Sequence, residues 1–195
     1  VHSRARADFA WFVEQGFVQA MLAGNAVAVH DMEAAIYGTT LGMDHEGRPT
    51  AGGHGLHMRA INAVRAAGSI EAAVASGLVS DGIMHTLVTR GVPYVLAGSI
   101  RDDGPLPGVF TDATAAQDAM REHAVRATGA VFIATALHAI AVGNMLPSFH
   151  TQNPEERPEP LMTICVDQTE FVVNKLKDRG THQAFGVVTN AQDFL

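Results

Sequence analysis

Five short apolar runs, each followed by a stretch of helical spacing, constrain this chain more than any other feature. They cover residues 17–22, 93–97, 130–134, 162–166 and 184–188. Their apolar side chains are nearly continuous rather than alternate, as in parallel strands covered on both faces. Between and around them, apolar positions recur at three- and four-residue intervals, which predicts helices over 4–15, 26–37, 54–67, 69–76, 82–90, 112–126 and 168–179. Asp81 is placed to cap the helix at Gly82, Thr111 or Asp112 the next one, and Gly180 to end the last. Strand then helix, repeated, predicts an α/β fold with a mostly parallel sheet flanked by helices.

Composition narrows the function classes. With 195 residues, 47% of them hydrophobic and 17% charged, the chain can build a core of its own and is no disordered segment. We read it as a single α/β domain spanning 1–195. A net charge of −7 argues against nucleic acid as a partner, because phosphates call for a basic footprint. Cys165 is the sole cysteine, so no internal disulfide framework exists, and its place inside an apolar run makes it packing rather than a nucleophile. Neither a membrane span nor a leader of secretory type is legible, and the expected compartment is cytoplasmic. Because such folds usually open with a strand and this chain opens with a helix, it reads as one piece of a longer protein.

In open α/β sheets ligands bind outside the carboxyl ends of the strands. The residues there are Gly24-Asn25-Ala26, the segment 98–107, Thr135-Ala136-Leu137-His138, Asp167, and Thr189-Asn190. They are rich in small, polar and acidic types where the strands are apolar, the contrast a nucleotide crevice would show. Asp167 suits either ribose hydroxyls or the cap of the following helix. Asn25-Ala26 opens a helix, where free N–H groups meet a pyrophosphate or Asn25 serves as a plain cap. Arg101-Asp102-Asp103-Gly104-Pro105 offers two carboxylates for an ammonium and an arginine for a carboxylate, or else forms a solvated turn. His138 follows a strand and is the better-placed imidazole for proton transfer. His54, His57 and Arg59 share a helical face, but no third ligand adjoins them in sequence, and no metal site is assigned. Gly52-Gly53-His54-Gly55 follows a polar loop rather than a strand, so it is not a phosphate loop. The segment 153–160, rich in proline and glutamate, reads as an exposed insertion, and Asp44-His45-Glu46-Gly47 as a turn.

Three segments carry a family resemblance: Gly98-Ser99-Ile100-Arg101-Asp102-Asp103-Gly104-Pro105-Leu106-Pro107, Leu22-Ala23-Gly24-Asn25-Ala26-Val27-Ala28-Val29-His30-Asp31, and Gly143-Asn144-Met145-Leu146-Pro147-Ser148. With these the chain resembles the LOR/SDH bifunctional enzyme conserved-domain family, which includes archaeal-type ornithine cyclodeaminases. The resemblance implies a Rossmann-like, deoxyhypusine synthase-like NAD-binding domain, the C-terminal half of a longer protein. It implies NAD contacts at Asn25, Ala26, Asp103, Thr135, Ala136, Leu137, Asp167 and Asn190. It also implies conversion of L-ornithine to L-proline and ammonia. For that chemistry we select Asp102 as ammonium anchor or base, His138 as proton shuttle and Asn144 as a hydrogen-bonding group, with Arg101 for the α-carboxylate. The implied partners are an amino-acid substrate, further copies of the chain, and an upstream region or companion chain. Two other readings stand beside it: an amino-acid oxidoreductase of lysine-ketoglutarate reductase or saccharopine dehydrogenase type, and a noncatalytic NAD-binding or oligomerisation module.

Overall fold

The computed structural model describes residues 4–151, 157–179 and 184–195. It divides into two compact units, one comprising residues 1–116 with Leu195, the other residues 117–194.

In the first unit the order is α1 (Arg6–Glu14), β1 (Met21–Gly24), α2 (Asn25–Tyr37), α3 (Gly55–Ala67), α4 (Ile70–Ala75), α5 (Gly82–Arg90) and β2 (Tyr94–Ala97). β1 and β2 pair in parallel, Met21 opposite Tyr94 and Gly24 opposite Ala97, so their carboxyl ends coincide. The core is built from helical stripes: His57, Ala60, Ile61 and Val64 on α3 bury at the intervals that put them on one face, and Ile83, Met84 and Leu87 do the same on α5. Of these, Ile61, Val64, Ile83, Met84 and Leu87 pack with Val29 and Met32 of α2 and Leu96 of β2. α2 buries residues on several sides, Asp31 and Glu33 among them.

β1 begins later than the apolar run predicts. Phe17 is 63% exposed and clusters with Trp11 and Phe12, and Gln19 donates to the Gly16 carbonyl, so residues 17–20 serve the α1 turn instead of the ladder.

α6 (Ala113–Ala124) contains the division between the units. Asp112 caps it, its Oδ1 accepting from Ala115 N at 2.8 Å. The second unit then runs β3 (Gly129–Ile133), α7 (Leu137–Gly143), β4 (Phe149–His150), β5 (Glu159–Pro160), β6 (Met162–Asp167), α8 (Glu170–Arg179), β7 (Ala184–Val188) and α9 (Ala191–Phe194). Its sheet is parallel in the order β3-β6-β7, and β4 and β5 form a short antiparallel pair. Glu159 and Pro160 of the expected insertion are therefore a paired strand, while residues 152–156 and Gly180 lie outside the described residues. One face of the parallel sheet packs against α8. A Cβ at Gly186 would strike the Val173 side chain, so that position needs glycine for close approach. On the other face Val131 and Phe185, aligned across Ile164, are 52% and 65% exposed, so the expected cover on both faces is not met there. Cys165 is buried in β6, and burial pushes its thiol pKa up, which keeps it an inert thiol.

Candidate functional site

In the first unit, chemistry concentrates beside the ends of β1 and β2. α2 starts directly from β1 at Gly24, which is extended and gives no side-chain cap. The first-turn N–H groups there have no side-chain capping partner, and Ala26 is exposed. Asn25 is 3% exposed and does not cap. Its Oδ1 instead accepts from Leu106 N at 3.1 Å, tying α2 to the segment after β2.

That segment is held at two further points. Asp102 Oδ2 accepts from Ser99 N at 2.7 Å, and Arg65 of α3 donates to the Pro105 carbonyl at 3.1 Å. Asp103 projects from the loop with its side chain 46% exposed.

Asp103 meets a group of side chains that spacing alone did not assemble. Its Oδ2 lies 3.2 Å from His54 Nε2 and 3.9 Å from His57 Nε2. His57, nearly buried, presents Nδ1 to Glu33 Oε2 at 2.9 Å, and its ring stacks on that of His54 with centroids 5.3 Å apart. The ring of His30 lies 5.0 Å from that of His57.

Glu33 is fully buried, and four donors surround it: Thr39 Oγ1, Leu41 N, Gly42 N and His57 Nδ1, each at 2.9 Å. Burial pushes its carboxyl up, but the bonds from Gly42, His57, Leu41 and Thr39 outweigh that and hold it below the ordinary carboxylate value. The loop can wrap it because Leu41 and Gly42 both adopt positive φ, 52° and 70°, turning two successive N–H groups inward. A Cβ at Gly42 would collide with the Gly53 backbone. His30, Glu33 and His57 also offer ligand atoms within 4.8 Å of one another, supplying the neighbours that His54 and His57 lack in sequence. The four bonds already on Glu33 mark it as an anchor for His57 rather than an open metal ligand.

A different carboxylate on α2 does structural work. Asp31, fully buried, accepts from Arg6 Nε at 2.7 Å, Ile83 N at 3.0 Å and Met84 N at 2.8 Å. It is thus the cap of α5, a role expected of Asp81. Asp81 instead turns its carboxylate to Arg6 and makes no side-chain capping bond. The tertiary partner reaches the helix N–H groups from inside, where a local cap would leave Asp31 unsatisfied.

In the second unit the expected residues stand at their strand ends. Ala134, just past β3, has φ 54°, a left-handed conformation costly for a residue with a Cβ. Thr135 and Leu137 follow it exposed, with Ala136 and His138 half-buried. Asn144, exposed, ends α7. Asp167 ends β6, and its Oδ1 accepts from Thr169 N and Oγ1 at 2.9 and 2.8 Å. Asn190 Oδ1 accepts from Gln192 N at 3.1 Å at the start of α9. Asp167 thus closes a local turn on Thr169, ahead of α8, and does not cap the helix expected from Gln168, which starts only at Glu170. Glu33 was missed by the sequence reading; the i, i+3 pair His30/Glu33 on the helix leaving β1 was its one available signal.

The chain matches, over residues 1–195, the model of the arginine dihydrolase ArgZ-like, C-terminal, Rossmann-fold family. It belongs to that family. An ornithine cyclodeaminase of Methanopyrus kandleri is 50% identical over the whole chain, which covers 45% of that relative. Among solved structures, a conserved LOR/SDH protein from Methanococcus maripaludis S2 superposes with a TM-score of 0.90 at 46% identity, covering 99% of this chain and 56% of that one. AgrE of Nostoc, solved as a ternary complex with ornithine and NAD+, gives 0.88 at 40% identity, covering 99% of this chain and 27% of that one. The ArgZ-like chain therefore has a Rossmann-type fold, and it spans less than half the length of the curated relatives it matches. Among the described residues, no helix is long and apolar enough to cross a membrane.

Proposed function

We propose that this ArgZ-like chain is the NAD-binding domain, 1–195, of an ornithine cyclodeaminase that converts L-ornithine to L-proline and ammonia. The observation that carries the reading is its whole-length likeness to AgrE, whose complex holds ornithine and NAD+. NAD, when bound, accepts a hydride from the substrate Cα and returns it to the cyclic imine, leaving no net redox change.

The residues fit such a cofactor. The N-terminus of α2 after β1 lacks a side-chain cap, as a pyrophosphate requires, and Ala26 is exposed beside it. In the second unit both bonds to Asp167 fall on Oδ1, which leaves Oδ2 for a ribose hydroxyl. The assigned cofactor contacts are Asn25, Ala26 and Asp103 in the first unit and Thr135, Ala136, Leu137, Asp167 and Asn190 in the second. Asn25 acts through the loop it holds. Asp102 anchors an ammonium, Arg101 the α-carboxylate, His138 moves protons, and Asn144 hydrogen-bonds the intermediate. The working protein is cytoplasmic, homo-oligomeric, and completed by an upstream region or companion chain.

The test is to incubate the full-length protein that carries this chain with NAD+ and L-ornithine, and to assay proline, ammonia and NADH. Proline and ammonia in equal amounts, with no net NADH, are expected. Net NADH formation would instead identify an amino-acid oxidoreductase. NAD binding without turnover would identify a binding module.

A further inference from the structure

Resting on that reading of the function, we infer that His57 is a second proton-transfer group of the reaction beside His138, positioned by Glu33, and that it takes a proton from the substrate ammonium that Asp102 does not anchor, seated against Asp103. The argument starts from the anchor. Glu33 is ionised and accepts at both oxygens, so the atom facing it, Nδ1 of His57, must carry the hydrogen. In the neutral ring the lone pair then lies on Nε2. That lone pair faces Asp103 Oδ2 at 3.9 Å, too far for a hydrogen bond and with an acceptor on either side.

Asp103 Oδ2, which also meets His54 Nε2 at 3.2 Å, can accept more than one donor, and an ammonium placed between it and His57 Nε2 reaches both. A histidine buried only for packing explains the Glu33 bond, but not why its other nitrogen is turned to a carboxylate on a strand-end loop. The proton step is simple: one N–H bond of the ammonium breaks, an Nε2–H bond forms, and the substrate nitrogen keeps the electron pair. The imidazolium so made is held through Nδ1–H by the Glu33 carboxylate. Once the amine has moved on, a water bridging Nε2 and Asp103 Oδ2 carries the proton to Asp103 and on to His54, 3.2 Å away and 57% exposed. Glu33 touches no reacting atom in this scheme and is a positioning residue.

The experiment compares the full-length wild-type protein with His57→Gln, Glu33→Asp, Glu33→Gln and His54→Gln. Each is assayed for kcat, for NAD+ affinity by calorimetry, and for thermal unfolding. For His57→Gln, a fall in kcat of about 10²- to 10⁴-fold is expected with NAD+ affinity kept within threefold. Glu33→Asp should recover part of the activity that Glu33→Gln loses. His54 is exposed, so its variant folds whatever the fate of His57→Gln. It should lose severalfold in kcat and regain it as the concentration of a small imidazole buffer rises. Wild-type turnover that His57→Gln matches within threefold overturns the inference alone. So does NAD+ affinity that falls in step with kcat, or a His54→Gln rate indifferent to buffer. A wild-type protein that releases no proline overturns the functional reading, and this inference with it.

Discussion

Two carboxylates two residues apart on α2 face different regions of the first unit and do different work. At 100° per residue Asp31 and Glu33 point to nearly opposite sides of the helix, and both are fully buried. A buried charge costs several kcal/mol unless donors replace its water. Around Asp31 the donors are framework: Arg6 from α1 and the first N–H groups of α5. Around Glu33 three donors belong to the loop over residues 39–42, but the fourth is an imidazole whose far nitrogen faces Asp103. A carboxylate fed wholly by framework is a joint. One that spends a bond on an imidazole is the joint we infer to serve chemistry.

The sharpest way to break this contrast is Arg6→Ala, which strips the cation from Asp31 and leaves its charge buried. Urea unfolding should show a loss of about 3 kcal/mol or more. Burial already pushes the Asp31 carboxyl up despite its donors, so a loss below about 1 kcal/mol would mean that it takes a proton or that the α5 N–H groups satisfy it unaided. Glu33→Gln comes next. Its amide cannot accept at both ends, so a loss of about 2 kcal/mol is expected from a site whose partners remain buried.

pH sharpens that case. Because the folded Glu33 titrates below its ordinary value, its stabilisation is complete above that value, near pH 4.5, and is lost as pH falls through the lowered one. Unfolding measured downward from pH 5 should therefore fall less steeply in Glu33→Gln than in wild type; equal slopes would remove Glu33 from the account.

Smaller effects calibrate these. Ser69 caps α4 by accepting from Ala72 N at 3.0 Å, and Ser69→Ala should cost about 1 kcal/mol in the same measurement. Asp81→Ala removes only a solvated partner of Arg6 and should cost no more than about 0.5 kcal/mol. A larger loss would restore Asp81 as the cap and weaken the claim that Asp31 is the joint.

Much of this architecture was legible beforehand. Gly82–Arg90 and Ala184–Val188 stand where the pattern put them, because their apolar periodicity is undisturbed by neighbours. The turn at Asp44 forms as read, with Oδ1 accepting from Glu46 N and Arg48 N, a bond pattern local to five residues. The first apolar run misled over 17–20, because Phe17 turns to the Trp11 and Phe12 rings instead of extending the ladder. α7 went unread, since Leu137–Gly143 is short and carries no cap to announce it. The site divides likewise. Asn25, Asp103 and Asp167 were singled out by their position after strands, whereas Glu33 lies mid-helix, where its one local signal is His30 three residues before it.

The order of apolar runs and helical stripes by itself determined the α/β alternation and the buried place of Cys165, since each follows from periodicity within a few residues. Only the tertiary structure decided that Asp31 rather than Asp81 caps α5, that Asn25 holds a loop, and that Glu33 and Asp103 address opposite nitrogens of His57. Those contacts join residues from 24 to 81 positions apart. A donor finds such a partner only after packing has expelled the water that otherwise satisfies both, and that event leaves no trace in local spacing.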